Sequence, residues 1–199
     1  MRRHRFSVHI VILLLVLAVC LSACAGTSAS PKFYVLSPLP QSKVSGPETK
    51  TVGVYPIGMP DYLDRPQIVT RVSENEIKLD EFSRWAEPLK ENFYTVLVEN
   101  LSIFLNSEKV VKMIYRVSFQ ASLQVGVEVV HFDGTLGGDI VLVAKWFLLE
   151  EEGKKMLLTR RSSFKEPAGA ATYEALVAAH SRAVAALSRE IAEAIKAKK

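Results

Sequence analysis

Cys24 is the residue in this chain with the clearest chemical destiny. It closes Leu21-Ser22-Ala23-Cys24, at the end of a short apolar run near the N-terminus. A thiol there can be joined to a glyceryl lipid through a thioether, after which the chain is cut between Ala23 and Cys24. Arg2, Arg3 and Arg5 form a basic leader, and residues 10–21 are an apolar run of about a dozen, shorter than the roughly 20 residues of a comfortable membrane span. Small Ser22 and Ala23 precede the cut. The reading is a lipoprotein signal peptide over 1–23, removed, with Cys24 as the acylated first residue. Each buried methylene contributes about 0.8 kcal/mol, and two or three acyl chains make the attachment effectively permanent.

Catalytic chemistry has few candidates. Beyond the signal segment the histidines are His131 and His180. His131 and Asp133 are two apart, so on a strand they share a face, and a triad with a serine can be drawn. No nucleophile context supports it. There is no Gly-x-Ser-x-Gly, no His-Glu-x-x-His and no phosphate loop; the glycines of 134–138 lie between two strands and read as a turn. With Cys20 removed and Cys24 acylated, no disulfide and no thiolate metal site is expected. Asp61 and Asp64 are better read as salt-bridging and turn-capping groups than as calcium ligands. The expectation is a protein that is not an enzyme and holds no cofactor and no metal.

Charge excludes another class. The formal net charge of +4 includes the three leader arginines; removing them leaves +1, so the pI near 9.0 carries no message about nucleic acid. No Lys/Arg patch interleaved with aromatics appears, and no nucleic-acid partner is expected. The 176 residues that remain of 199 suit one domain with a single core.

The elements that would position these residues follow from periodicity. Residues 24–31 are a lipidated tether, its seven residues after Cys24 reaching about 25 Å at most. The folded domain is 32–199. Residues 33–36 and 51–57 read as strands, the second ending at or near Pro56 or lying on an edge. Residues 67–72 and 76–79 flank Ser73-Glu74-Asn75 as a hairpin. From Trp85 to Leu105 the apolar residues recur at helical spacing, with Pro88 in the first turn. Residues 114–132 are one long extended stretch with a bulge at Ser122 or Gly126. Residues 139–150 and 155–165 complete an antiparallel meander, and 172–197 is a long Ala-rich helix ending in lysines. The fold class is α+β: a mostly antiparallel sheet of about six or seven strands with two main helices on one face.

The loop from Met59 to Arg71 stands out. Pro60 and Pro66 stiffen it, Asp64 and Arg65 can pair or cap backbone, Tyr62 and Leu63 offer apolar contact, and Trp85 follows closely. Such a loop suits a partner surface, with Met59, Pro60, Tyr62, Leu63, Asp64, Arg65, Pro66, Gln67 and Trp85 as candidate contacts. Alternatively, Tyr62, Leu63 and Trp85 fold inward as part of the core.

Four features occur in order: the Cys24 site followed by Phe33-Tyr34-Val35-Leu36, the block Met59-Pro60-x-Tyr62-Leu63-Asp64-Arg65-Pro66-Gln67-Ile68-Val69, the block Arg84-Trp85-Ala86-Glu87-Pro88-Leu89, and Ala179-His180-Ser181-x-Ala183. Together they resemble the PqiC family of ABC-type transport auxiliary lipoproteins over nearly all of the chain after the signal. The resemblance implies a non-enzymatic accessory subunit that docks an MCE-domain transporter protein conducting lipid between two membranes, and so contributes to envelope integrity. It implies anchoring in the outer membrane of a Gram-negative bacterium through palmitate-type chains on Cys24, facing the periplasm; Ala25 agrees with outward sorting in the enteric pattern. Self-association into a ring is left open by the sequence. The alternative is a lipoprotein that itself binds or shuttles lipid in an apolar cavity.

Overall fold

The computed structural model describes residues 30–40, 50–113, 121–150 and 154–198. Apart from Ser30 they belong to one unit, Pro31–Lys199. Among the described residues there are eight strands and two helices, in the order β1 (Lys32–Tyr34), β2 (Val52–Val54), β3 (Gln67–Arg71), β4 (Ile77–Trp85), α1 (Leu89–Leu105), β5 (Val110–Lys112), β6 (Leu123–Gly134), β7 (Asp139–Glu150), β8 (Lys155–Pro167) and α2 (Tyr173–Lys196). No helix among them is long and apolar enough to cross a membrane.

The strands form two sheets, in the orders β1-β4-β3 and β5-β2-β6-β7-β8. Both are mixed, which corrects the expectation of a mostly antiparallel sheet. β1 runs parallel to β4, and β2 runs parallel to both β5 and β6. Alternation of apolar residues reports which face is buried and says nothing about direction. The three residues of β2 are all buried, the continuous apolar pattern of a strand covered on both faces. Pro56 therefore ends a central strand and does not mark an edge. β5 was not anticipated, because three residues are too few to show a period.

The meander of β6, β7 and β8 is antiparallel as expected. Its bulge lies elsewhere than at Ser122 or Gly126: the β6–β7 register shifts between Val129 and His131. The extra residue reverses the parity of the strand. Val125, Val127 and Val129 point into the core before it, Phe132 does so after it, and His131 and Asp133 are turned to the opposite face. The part of the expected extended stretch that carries Tyr115, Val117 and Phe119 lies outside the described residues.

The helices bear out the periodicity, with one revised boundary. Trp85 closes β4 and the helix starts at Leu89, behind Pro88 (φ −53°, ψ 124°). A proline disfavours helical backbone in the residue before it, which holds 85–87 out of the helix. Asn106, left-handed at φ 49°, ends α1. Thr172 caps α2 by accepting from the Ala175 N–H at 3.2 Å, and Lys196 sits in its last turn.

Both helices cover the same face of the five-stranded sheet, and the aromatic contacts show how. Phe93 of α1 meets Phe132 of β6 edge-on at 5.3 Å, His180 of α2 meets Phe132 at 4.7 Å, and Trp85 of β4 meets His180 at 5.7 Å. This chain of edge-to-face contacts joins both sheets to both helices, each pair adding roughly 0.5–1.5 kcal/mol beyond area burial. Trp146 lies at the same face, its indole N–H donating to Ser162 Oγ at 2.9 Å.

Candidate functional site

The bulge in β6 has a direct consequence for the predicted loop. It turns Asp133, which is 0% exposed, towards the loop and the end of β3. Arg71, the last residue of β3, grips it with two bonds: Nε donates to Oδ1 at 2.7 Å and Nη2 to Oδ2 at 2.9 Å. The Tyr62 hydroxyl donates to Oδ2 at 2.8 Å, and His131 Nε2 lies 2.9 Å from Oδ1. Burial alone would raise the Asp133 pKa. Hydrogen bonds from Arg71, His131 and Tyr62 outweigh it and hold the carboxyl well below the usual carboxylate range. The Tyr62 hydroxyl is pushed up to about 12, first by burial and then by its bond to Asp133. One buried carboxylate thus ties the loop, the small sheet and the large sheet together.

This is a locked structural cluster. His131 and Asp133 do meet, as their spacing predicted, but both carboxylate oxygens are taken by Arg71 and Tyr62. Among the described residues no side-chain hydrogen bond joins His131 to a serine, and no three His, Cys, Asp or Glu residues converge as metal ligands.

The candidate contact residues divide into two groups. Leu63 (1% exposed) and Trp85 (5%) lie in the core, and Met59 and Tyr62 are half-buried against it. Tyr62, Leu63 and Trp85 follow the inward alternative. Pro60 and Gln67 are half-buried, and Gln67 Nε2 donates to Glu81 at 3.3 Å. Asp64 and Pro66 are exposed, as is Asp61. Asp64 and Arg65 do not pair with each other. Asp64 Oδ1 accepts a long 3.4 Å bond from the Lys90 N–H in the first turn of α1, where a carboxylate is favourable. Arg65 Nε is buried without a hydrogen-bond partner.

Loop end, strand end and helix start enclose a cleft of about 420 Å³. Asp64, Arg65 and Pro66 form one wall, Arg84 to Pro88 the other, and Phe33 of β1 stands at its mouth. The register explains the company: Phe33 pairs with Arg84 and Tyr34 with Trp85, so Phe33 and Arg84 share the outer face of the small sheet while Trp85 points inward. The two sequence blocks that stood out thus meet in space. Phe33, Arg84 and Glu87 belong to the cleft and were not among the candidate contacts, because their closeness depends on a parallel pairing that spacing does not reveal.

A second feature escaped sequence reasoning. The extended segment after β1 runs between the two helices, held by side chains. The Leu36 N–H donates to Asn92 Oδ1 at 2.6 Å, Leu39 N–H to Asn100 Oδ1 at 2.8 Å, and Ser37 N–H to Ser181 Oγ at 3.0 Å. Asn92 and Asn100 are buried, eight residues apart on one face of α1. Amides placed inside an apolar stripe are the signal that could have found them, since a buried amide needs a backbone partner.

The chain matches the family model described as "ABC-type transport auxiliary lipoprotein component" over residues 34–192. No curated protein sequence matches it. Two crystal structures share its fold: an uncharacterised protein, at 22% identity and a TM-score of 0.69 over 84% of this chain and 99% of that one, and a protein from Xanthomonas campestris, at 18% identity and a TM-score of 0.60 over 84% and 93%. On the family match, which takes in every described strand from Val52 onward, all of α1 and α2 as far as residue 192, the chain belongs to the ABC-type transport auxiliary lipoprotein components.

Proposed function

We propose that this protein is a non-enzymatic docking subunit, anchored in the outer membrane through acylated Cys24 and facing the periplasm, that holds an MCE-domain transporter protein of an intermembrane lipid transport system and so supports envelope integrity. Membership of a transport auxiliary lipoprotein family is the observation that carries it. The geometry of the loop favours it too. Met59 to Gln67 is fixed from behind by Asp133 while Asp61, Asp64 and Pro66 face solvent, and a loop ordered before contact spends less binding free energy on immobilisation. Its contact edge is Pro60, Asp64, Arg65, Pro66 and Gln67, with Met59, Tyr62, Leu63 and Trp85 shaping it from within. Assembly of several copies around the partner fits the same role. The alternative is a lipoprotein that itself binds or shuttles lipid.

Capture of an MCE-domain partner from solubilised envelopes tests the reading. Asp64→Lys and Arg65→Glu should each weaken capture at least tenfold, Asp64→Lys with an unchanged thermal midpoint because that side chain is exposed. Cys24→Ser should abolish incorporation of labelled palmitate and release the protein from the membrane fraction. Undiminished capture by both charge reversals would remove the loop from the interface.

A further inference from the structure

The cleft beside the docking loop holds charges of both signs that the fold leaves unused. Among the described residues Arg65 and Arg84 make no ion pair and no hydrogen bond with other side chains, and Arg65 Nε is buried without a partner. On the same two walls, beside Arg65 and near Arg84 in the chain, Asp64 has only its long bond to the Lys90 N–H and Glu87 has no side-chain partner among the described residues. Elsewhere the surface charges pair readily, as Lys165 does with Asp139 at 2.8 Å and Arg182 with Glu166 at 3.2 Å. Two guanidiniums and two carboxylates that share a cleft without neutralising one another match a ligand that carries both signs a few ångströms apart.

Surface composition and chain length say where that ligand comes from. Phe33, which lines the cleft, is 61% exposed; Val35, two residues on in the chain, is 47% exposed, and Phe82, two residues before Arg84, 48%. Large exposed apolar groups grouped at one edge mark a surface that meets something apolar. Phe33 lies nine residues after Cys24, a covalent reach of about 30 Å at most. If Cys24 carries acyl chains, this edge is held within that distance of a bilayer.

We propose that the cleft binds the headgroup of a zwitterionic phospholipid of the anchoring bilayer. The phosphate is held by Arg65 and Arg84, whose planar forks suit its oxygens. The ammonium lies against Asp64 and Glu87, and Phe33 lies among the upper acyl methylenes. The bound lipid orients the body on the membrane and presents the docking loop at a set height. The membrane source rests on the anchored reading proposed above; headgroup binding itself can be measured without it.

The test titrates the full-length mature lipoprotein, in nonionic detergent, with dihexanoyl phosphatidylethanolamine, following the phosphorus-31 linewidth. Dihexanoyl phosphatidylglycerol and inorganic phosphate serve as separate arms. Arg65→Gln with Arg84→Gln should raise the Kd for phosphatidylethanolamine at least tenfold. Asp64→Asn with Glu87→Gln should raise it similarly while leaving phosphatidylglycerol unchanged or tighter. Inorganic phosphate should bind at least tenfold more weakly than the lipid. Binding of phosphatidylethanolamine that neither double variant alters, equal binding of the phosphate alone, or no broadening with the unaltered protein would each overturn the proposal. So would variants that lose partner capture yet keep lipid binding, since the cleft would then be a protein contact. A protein that captures its partner poorly but binds the headgroup as described would sink the docking reading alone.

Discussion

Asp133→Ala should lower the unfolding free energy by about 3 kcal/mol or more, read from chemical denaturation. The carboxylate is wholly buried, while the Arg71 side chain remains 25% exposed, so the cost sits at the lower end of the roughly 3–5 kcal/mol expected when one partner of a buried pair is removed. Arg71 and Tyr62 would both be left with donors that face no acceptor. Replacing Arg71 and Asp133 together by apolar residues should cost clearly less than the sum of the two single changes, and a double-mutant cycle checks this. The loop should loosen before the body does. Amide exchange across 59–66 should rise in Asp133→Ala even where the β6–β7 ladder stays protected.

Acidification should destabilise the protein in two separate windows. His180 is buried between Trp85 and Phe132, with Nδ1 2.8 Å from the Leu176 carbonyl oxygen. Burial pushes its pKa down from 6.5 to about 4. The unfolded chain therefore binds a proton below about pH 6.5 that the native chain refuses until about pH 4. Stability falls with pH across that window, by about 3 kcal/mol at roughly 1.4 kcal/mol per unit. Asp133 acts lower. Its folded pKa lies below the ordinary 3.8, so its contribution is present above that value and is lost as pH falls beneath it. As pH is lowered, the unfolding free energy should fall between about 6.5 and 4, where His180 supplies the slope, and keep falling below 3.8, where Asp133 takes over from it. His180→Gln should flatten the first segment and leave the second. A profile with no slope between pH 6.5 and 4 would mean that His180 gains water or a partner when protonated.

How much of this was legible beforehand depended on how local the signal was. α2 could be read to within a residue, because Thr172, the spacing of Leu176, Leu187 and Ile191, and the terminal lysines all lie on one continuous segment. The β6–β8 meander was legible for the same reason, since alternation and turn residues are neighbours in the chain. Strand direction was not. The parallel pairings of β1 with β4 and of β2 with β5 and β6 depend on where distant segments come to rest, and a three-residue strand such as β5 has no period to detect. At the site, the two blocks around Asp64 and Trp85 were recognised separately, and the inward alternative for Leu63 and Trp85 is what the fold adopts. Their shared cleft with Phe33 was hidden because it is created by a strand pairing. The Asp133 cluster was half visible: its spacing from His131 was plain, whereas Arg71 looked like the end of a loop and is the residue that neutralises it.

Tension drawn along the N-terminal attachment would enter the body at Lys32. It first meets the three-residue pairing of β1 with β4, and next the amides of Asn92 and Asn100 that grip Leu36 and Leu39. None of these belongs to the long ladders of the five-stranded sheet. If the chain is held to a bilayer through Cys24, as proposed, a tug would load these short fastenings before the main fabric of the five-stranded sheet.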